Sequence, residues 1–339
     1  MKTAALLLVI LGSITISYGQ SCRKLVLEGA GIRGIAYVGA IKQLEEQDLL
    51  KGIEKVGGTS AGAIAALTIA LGYSSGEIED IIYKTKLQKF NDGRFIFFGG
   101  ISRMNRNYGW YRGDAFISWL EKVIANKTNH PDITFRELHE RKFKDLYVTG
   151  TSLNKQKLIV FSYETYPDMK VKDAVRISMS IPLYFEAVFI DASGKVLDKK
   201  SATGDFDIMV DGGLTGNFPI HIFDSLTVID NRQVRIPDLT TIGIRVDTPE
   251  QIGYDSLHKG LAPIPIDRFR GYVSAFYNYA IENLNRNQLT DKDWKRTVSI
   301  SSGDIGPKIR KLSVQEKDFL IRNGYQATAD FLHKSRQLP

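Results

Sequence analysis

The stretch Gly58-Thr59-Ser60-Ala61-Gly62 lies between a short strand-like segment, Ile53-Glu54-Lys55-Val56, and a run from Ala61 to Leu71 that is almost wholly apolar and helix-forming. A Gly-x-Ser-x-Gly at a strand-to-helix junction is the pattern of a nucleophile elbow. The turn is so sharp that its flanking positions, Gly58 and Gly62, have no room for a Cβ. It lifts the Ser60 hydroxyl clear of the sheet, at the start of a helix whose dipole favours developing negative charge. Ser60 is the candidate nucleophile.

Toward the N-terminus, Lys24-Leu25-Val26-Leu27 reads as a strand that runs into Glu28-Gly29-Ala30-Gly31-Ile32-Arg33-Gly34. Ile35, Val38, Ile41 and Leu44 then recur at helical spacing. Strand, glycine loop, helix, strand, elbow and helix make a βαβ unit with a parallel sheet. Glycine lets backbone N–H groups converge on one small anion, so the Gly29, Ala30, Gly31, Ile32, Arg33 and Gly34 loop is the candidate oxyanion hole. The N–H groups of Gly31, Ile32 and Arg33 are the foremost donors. Gly29-x-Gly31-x-x-Gly34 also fits a dinucleotide fingerprint, but that motif needs an acidic residue at the end of the second strand. The elbow stands there instead.

A chain of 339 residues, 43% hydrophobic and 24% charged, has ample material for a core. Its start is different in kind: Lys2, the apolar run Ala4 to Leu11, then small and polar residues to Gly19-Gln20. That is the order of a secretory signal peptide, so residues 1–20 are set aside and export is expected; an uncleaved anchor is the alternative. The single cysteine, Cys22, excludes an internal disulfide and is the one residue a lipid anchor would use. The net charge of +7 suits transient contact with an anionic membrane surface. The basic residues are scattered, and no recognition-helix or zinc-finger pattern points to nucleic acid. No His/Cys/carboxylate cluster stands at metal spacing, so no metal or other cofactor is expected.

Further along, the aromatic, glycine-bearing segment Asn91 to Gly113 breaks the helical pattern and reads as a loop. Leu146 to Thr151 and Lys157 to Phe161 read as paired strands, and Asp173 to Ser180 as a helix stopped by Pro182. Ile208-Met209-Val210 reads as a buried strand ending at Asp211-Gly212-Gly213. Strands are expected at Thr241 to Val246 and Thr297 to Ser301, and helices at about 268–285 and 313–335. Nothing demands a second domain.

A serine nucleophile needs a base. Of His130, His139, His221, His258 and His333, none ends a clear strand at a turn, and His221, after Pro219, is the one to test. Asp211 ends a buried strand and is freed by two glycines, so both a histidine-containing triad and an aspartate base stay open on these grounds.

Four stretches together resemble the patatin-like phospholipase family. Glu28 to Gly34 is similar to its glycine-rich oxyanion loop, with Glu28 and Ala30 substituted. Gly58 to Gly62 resembles its elbow, and Arg176-Ile177-Ser178-Met179-Ser180-Ile181-Pro182 the helix and turn before its last core strands. Asp211-Gly212-Gly213, with Asn217, Phe218 and Pro219, resembles its Asp-Gly-Gly/Ala motif. The resemblance spans residues 23–335. It implies a three-layer α/β/α domain with a mainly parallel central sheet, acting on phospholipid or other fatty-acyl esters. It further implies a Ser60–Asp211 dyad with no histidine and an acyl-enzyme, without a metal. A carboxylate base needs a raised pKa, so Asp211 is expected to be buried. A non-catalytic lipid- or nucleotide-binding scaffold is the rival from another class.

Overall fold

The structure is a computed structural model that describes residues 22–337, apart from 94–95, 200–203 and several positions between 270 and 288. The expected signal segment lies outside the described residues.

Nine strands form the main sheet among the described residues. They are β1 (Lys24–Leu27), β2 (Lys55–Gly58), β3 (Asp145–Ser152), β4 (Lys157–Phe161), β5 (Val188–Ile190), β6 (Val196–Leu197), β7 (Asp207–Asp211), β8 (Thr241–Asp247) and β9 (Thr297–Ser301). The order is β9-β8-β1-β2-β3-β7-β5-β6, with β4 also on β3. From β9 to β3 every ladder is parallel, joined by helical crossovers; the remainder is antiparallel. The parallel strands are largely buried on both faces, as such sheets require.

One feature of β3 positions the site. Its residue Val148 pairs with Phe161 of β4 on one edge and with Gly58 of β2 on the other. Two residues on, Gly150 pairs with Ile159 of β4 and with Asp211 of β7. The β4 edge is continuous, so β2 and β7 share the other edge in series. They arrive from opposite ends and stop two β3 residues apart, with the elbow leaving one tip and Asp211 at the other.

Side chains alternate across β3. On one face Ile177, in the helix Val171–Ser178, lies 2.8 Å from where a Gly150 Cβ would stand. On the other, Tyr147 meets Phe223 edge to face at 4.8 Å, and Thr149 meets Thr59. Helix Ala36–Glu46 crosses helix Val314–Gln337 so closely that a Cβ on Gly39 would lie 1.8 Å from Ile321 O.

The segment read as an aromatic loop is in fact a helix, Ile96–Asn107, followed by a short strand, Gly109–Tyr111. Gly100 is there because the Trp110 ring fills the place of its Cβ, not because the chain turns. The second strand lies two residues later than its apolar run suggests, since Gly57 and Gly58 are strand residues. A Cβ on Gly57 would lie 2.5 Å from Ile222. An exposed hairpin, Ser225–Ile229 with Arg232–Ile236, was not anticipated.

Candidate active site

Ser60 occupies φ 53°, ψ −120°, at the N-cap of helix Ala61–Ala70. A non-glycine residue there is strained, and the neighbourhood holds it in place. A Cβ on Gly58 would lie 2.4 Å from Gly62 C and O, and one on Gly62 2.2 Å from Leu27 O. The Thr59 hydroxyl donates to Gly216 O at 2.9 Å and meets Thr149 Oγ1 at 2.6 Å. The Ser60 N–H donates to Ser178 Oγ at 2.8 Å, and Ser60 Oγ lies 3.4 Å from Met179 Sδ.

Asp211 is fixed from the same turn. Its N–H donates to Ser180 O at 2.9 Å, and its Oδ1 accepts the Gly213 N–H at 2.7 Å. Burial pushes its carboxyl up to about 7, against the Gly213 N–H and the Ser60 hydroxyl, which both favour the ionised form. Behind the turn, the buried Arg176 guanidinium donates to the Ser180 hydroxyl, to Arg112 O at 2.7 Å and to Glu186 O at 3.2 Å. These residues between 176 and 180 are a scaffold for both partners. In the sequence they stood out only through the family resemblance.

The glycine loop closes over the elbow. A Cβ on Gly29 would lie 3.4 Å from Ser60 Cβ, and one on Gly34 2.8 Å from Ala61 Cβ. Asn217 ties the loop to the Asp211 segment: it accepts the Gly29 N–H through its backbone O at 2.9 Å and donates Nδ2 to Gly29 O at 3.1 Å.

The donors differ in part from expectation. Ile32 N–H is committed to Pro307 O at 3.0 Å and Arg33 N–H to Ala30 O at 3.2 Å, leaving neither to face an anion. Gly34 lies within the 3₁₀ turn Gly31–Ile35, away from its open end. Among the described residues, the N–H groups of Ala30, Gly31 and Ala61 have no partner. Gly31 takes φ 56° and packs where a Cβ would meet Pro307 O at 2.1 Å, which only glycine tolerates.

No histidine is hydrogen-bonded to Ser60 or Asp211 among the described residues. His139 Nδ1 pairs with Asp145 at 2.7 Å, at the start of β3 and so at the other end of that strand's pairing with β2. His130 faces Glu137 at 3.7 Å and His258 faces Asp291 at 3.8 Å, while His333 lies by Gln337. His221 is held below its usual pKa by burial and by Arg235. Among the described residues, no group of three or more His, Cys, Asp and Glu could hold a metal ion, and no helix is long and apolar enough to cross a membrane. The Cys22 thiol is buried and pushed up to about 12, so a lipid linked there would need that sulfur brought out of the core.

Comparison with known proteins agrees with this architecture. The pattern of the family described as Patatin-like phospholipase matches residues 25–224. The chain is 27% identical over 309 residues to "Uncharacterized protein R571" of Acanthamoeba polyphaga mimivirus, covering 90% of this chain and 92% of that protein. It is 27% identical over 206 residues to "Probable lipid hydrolase 463L" of Invertebrate iridescent virus 6, covering 59% of this chain and 62% of that one. It therefore spans less than two thirds of the second relative. Among solved structures, VipD from Legionella pneumophila aligns with a TM-score of 0.56 at 18% identity, over 93% of this chain and 67% of that chain, a likeness of fold. On the family match, the chain belongs to the patatin-like phospholipases.

Proposed function

We propose that the protein is a lipid acyl hydrolase of phospholipase A or lysophospholipase type, working through a Ser60–Asp211 dyad. Ser60 Oγ attacks the ester carbonyl as its proton passes to the Asp211 carboxylate. The tetrahedral oxyanion is held by the N–H groups of Ala30 and Gly31, joined by that of Ala61. Collapse expels the alcohol, which takes the proton from Asp211 and leaves an acyl-Ser60 ester. Water then attacks that ester with Asp211 as base, releasing the fatty acid and restoring the serine.

The observation that carries this reading is the meeting of β2 and β7 on one edge of β3, which sets a strained serine beside a buried aspartate raised to about 7. That value suits a base working near neutral pH. The histidine pairings favour the dyad over a triad. The test is release of p-nitrophenol from short- and long-chain esters, in the presence of a chelator, by the unmodified protein and by Ser60→Ala and Asp211→Asn. Activity confined to the unmodified protein supports the dyad; unchanged activity of Ser60→Ala removes it. We also propose that residues 1–20 direct export, tested by N-terminal sequencing of the expressed protein.

A further inference from the structure

The segment from Leu257 onward presents apolar side chains to solvent. Leu257, Ile264 and Ile266 are exposed, and Phe269, Tyr272, Phe276 and Tyr279 are 80%, 58%, 69% and 62% exposed. These four are all helical and stand at i, i+3, i+7 and i+10, so they share one face spanning about 80° at about 100° per residue. A contiguous exposed aromatic face of this kind marks an interaction surface.

The segment is rooted by charge. Glu282 and Arg286, also helical and further along the chain, are nearly buried. Arg286 Nη2 pairs with Asp247 at 2.7 Å, Nη1 with Asp255 Oδ2 at 2.6 Å, and Nε with Glu282 at 3.1 Å, all nearly buried. Asp247 closes β8, beyond the register where Ile244 pairs with Leu27 and Leu27 with Gly58. The root is thus on the edge of the sheet at which the glycine loop and the elbow emerge. Asp247 also lies 3.9 Å from Arg33 of that loop, and Arg245 beside it lies 3.3 Å from Glu28.

We propose that this aromatic face docks on an anionic phospholipid surface and holds the Ser60 edge of the sheet against it. The occupant follows from the charge and position of the face. From Leu257 to Ala280 the sequence carries Lys259, Arg268 and Arg270 against Asp267 alone, a net positive charge suited to anionic headgroups. Phenylalanine enters the acyl boundary, while tyrosine keeps its hydroxyl at headgroup level. The choice of a lipid occupant rests on the hydrolase reading; the exposure of the face does not.

The experiment is co-sedimentation of the protein with vesicles of phosphatidylcholine alone and with vesicles of phosphatidylcholine mixed with anionic phosphatidylglycerol, whose surface attracts basic segments. It is run beside hydrolysis of a soluble short-chain p-nitrophenyl ester. The unmodified protein is expected to bind the anionic vesicles in preference to the neutral ones. Phe269→Ser with Phe276→Ser is expected to weaken that binding at least about tenfold, because two rings lose their apolar burial. Lys259→Glu with Arg268→Glu provides an independent pair and is expected to remove the preference for anionic vesicles. Neither pair touches the dyad or the glycine loop, so soluble-ester hydrolysis stays unchanged. Equal vesicle binding by both pairs overturns the proposal, as does an unmodified protein that ignores vesicles. A dimer that Phe269→Ser with Phe276→Ser converts to monomer also overturns it, assigning the face to a second copy of this chain. Vesicle binding lost in the variants, with no ester hydrolysis by any protein, leaves docking standing and the hydrolase reading fallen.

Discussion

The Ser178 hydroxyl accepts the backbone N–H of Ser60 at 2.8 Å, so the strained elbow is pinned by a side chain from the turn that also holds Asp211. Ser178→Ala leaves that buried N–H without an acceptor, which costs about 1–3 kcal/mol. We expect a lowered melting temperature and a kcat reduced several-fold more than KM is raised, because the loss is in the placement of Ser60. A melt and a full saturation curve check both.

Ser60→Ala and Asp211→Asn are each expected to lower kcat/KM by at least about 10³-fold while leaving the fold intact. The proposed dyad acts as a unit, so the double variant should be little worse than either single one. Additive losses in ester hydrolysis would contradict a dyad.

In the proposed dyad Asp211 must be ionised to accept the Ser60 proton, so kcat/KM is expected to rise with pH through about 7. Stability runs the other way. Burial raises the folded-state pKa above the ordinary 3.8, so the folded protein binds this proton more tightly than the unfolded chain does. The resulting stabilisation is present at low pH and is withdrawn as pH rises from about 4 through about 7, amounting to about 4 kcal/mol at roughly 1.4 kcal/mol per unit. Asp211→Asn should therefore melt higher than the unmodified protein at pH 8 and close to it at pH 4, and the proposed dyad expects it to be inactive at both.

His221→Ala should retain nearly all ester hydrolysis. The imidazole sits near Arg235, which with burial disfavours its charged form, and it has no hydrogen bond to Ser60 or Asp211 among the described residues. A loss of more than about tenfold would restore the triad reading.

The Cys22 thiol, buried and raised to about 12, should resist a thiol reagent in the native protein and react once guanidinium unfolds it. A time course of labelling with and without denaturant reads this directly.

Much of the fold can be read along the chain because its devices are local. The helix after the glycine loop follows from residues three and four apart, and the elbow from two glycines flanking one serine. Ser74 and Glu77 form a capping box within one turn. The hairpin at Ser225–Ile236 went unread in the sequence, although its turn is local: Asp230 and Asn231 take φ 50° and 59°, the left-handed pair that a two-residue turn demands. The helix at Ile96–Asn107 was not legible, since Gly100 reads as a breaker until Trp110 is seen lying against it.

By itself, the sequence determined the parallel βαβ core, the serine at its elbow and an aspartate released from the end of a buried strand. These depend on spacings that one segment carries alone. Tertiary structure decided that the tips of β2 and β7 meet on one edge of β3, that Ser178 and Ser180 hold both tips, and that Pro307 takes the Ile32 N–H and leaves those of Ala30 and Gly31 open. Strand pairing and the filling of backbone donors join residues far apart in the chain. No local periodicity encodes such a contact, because each is set by which segments the whole core brings side by side.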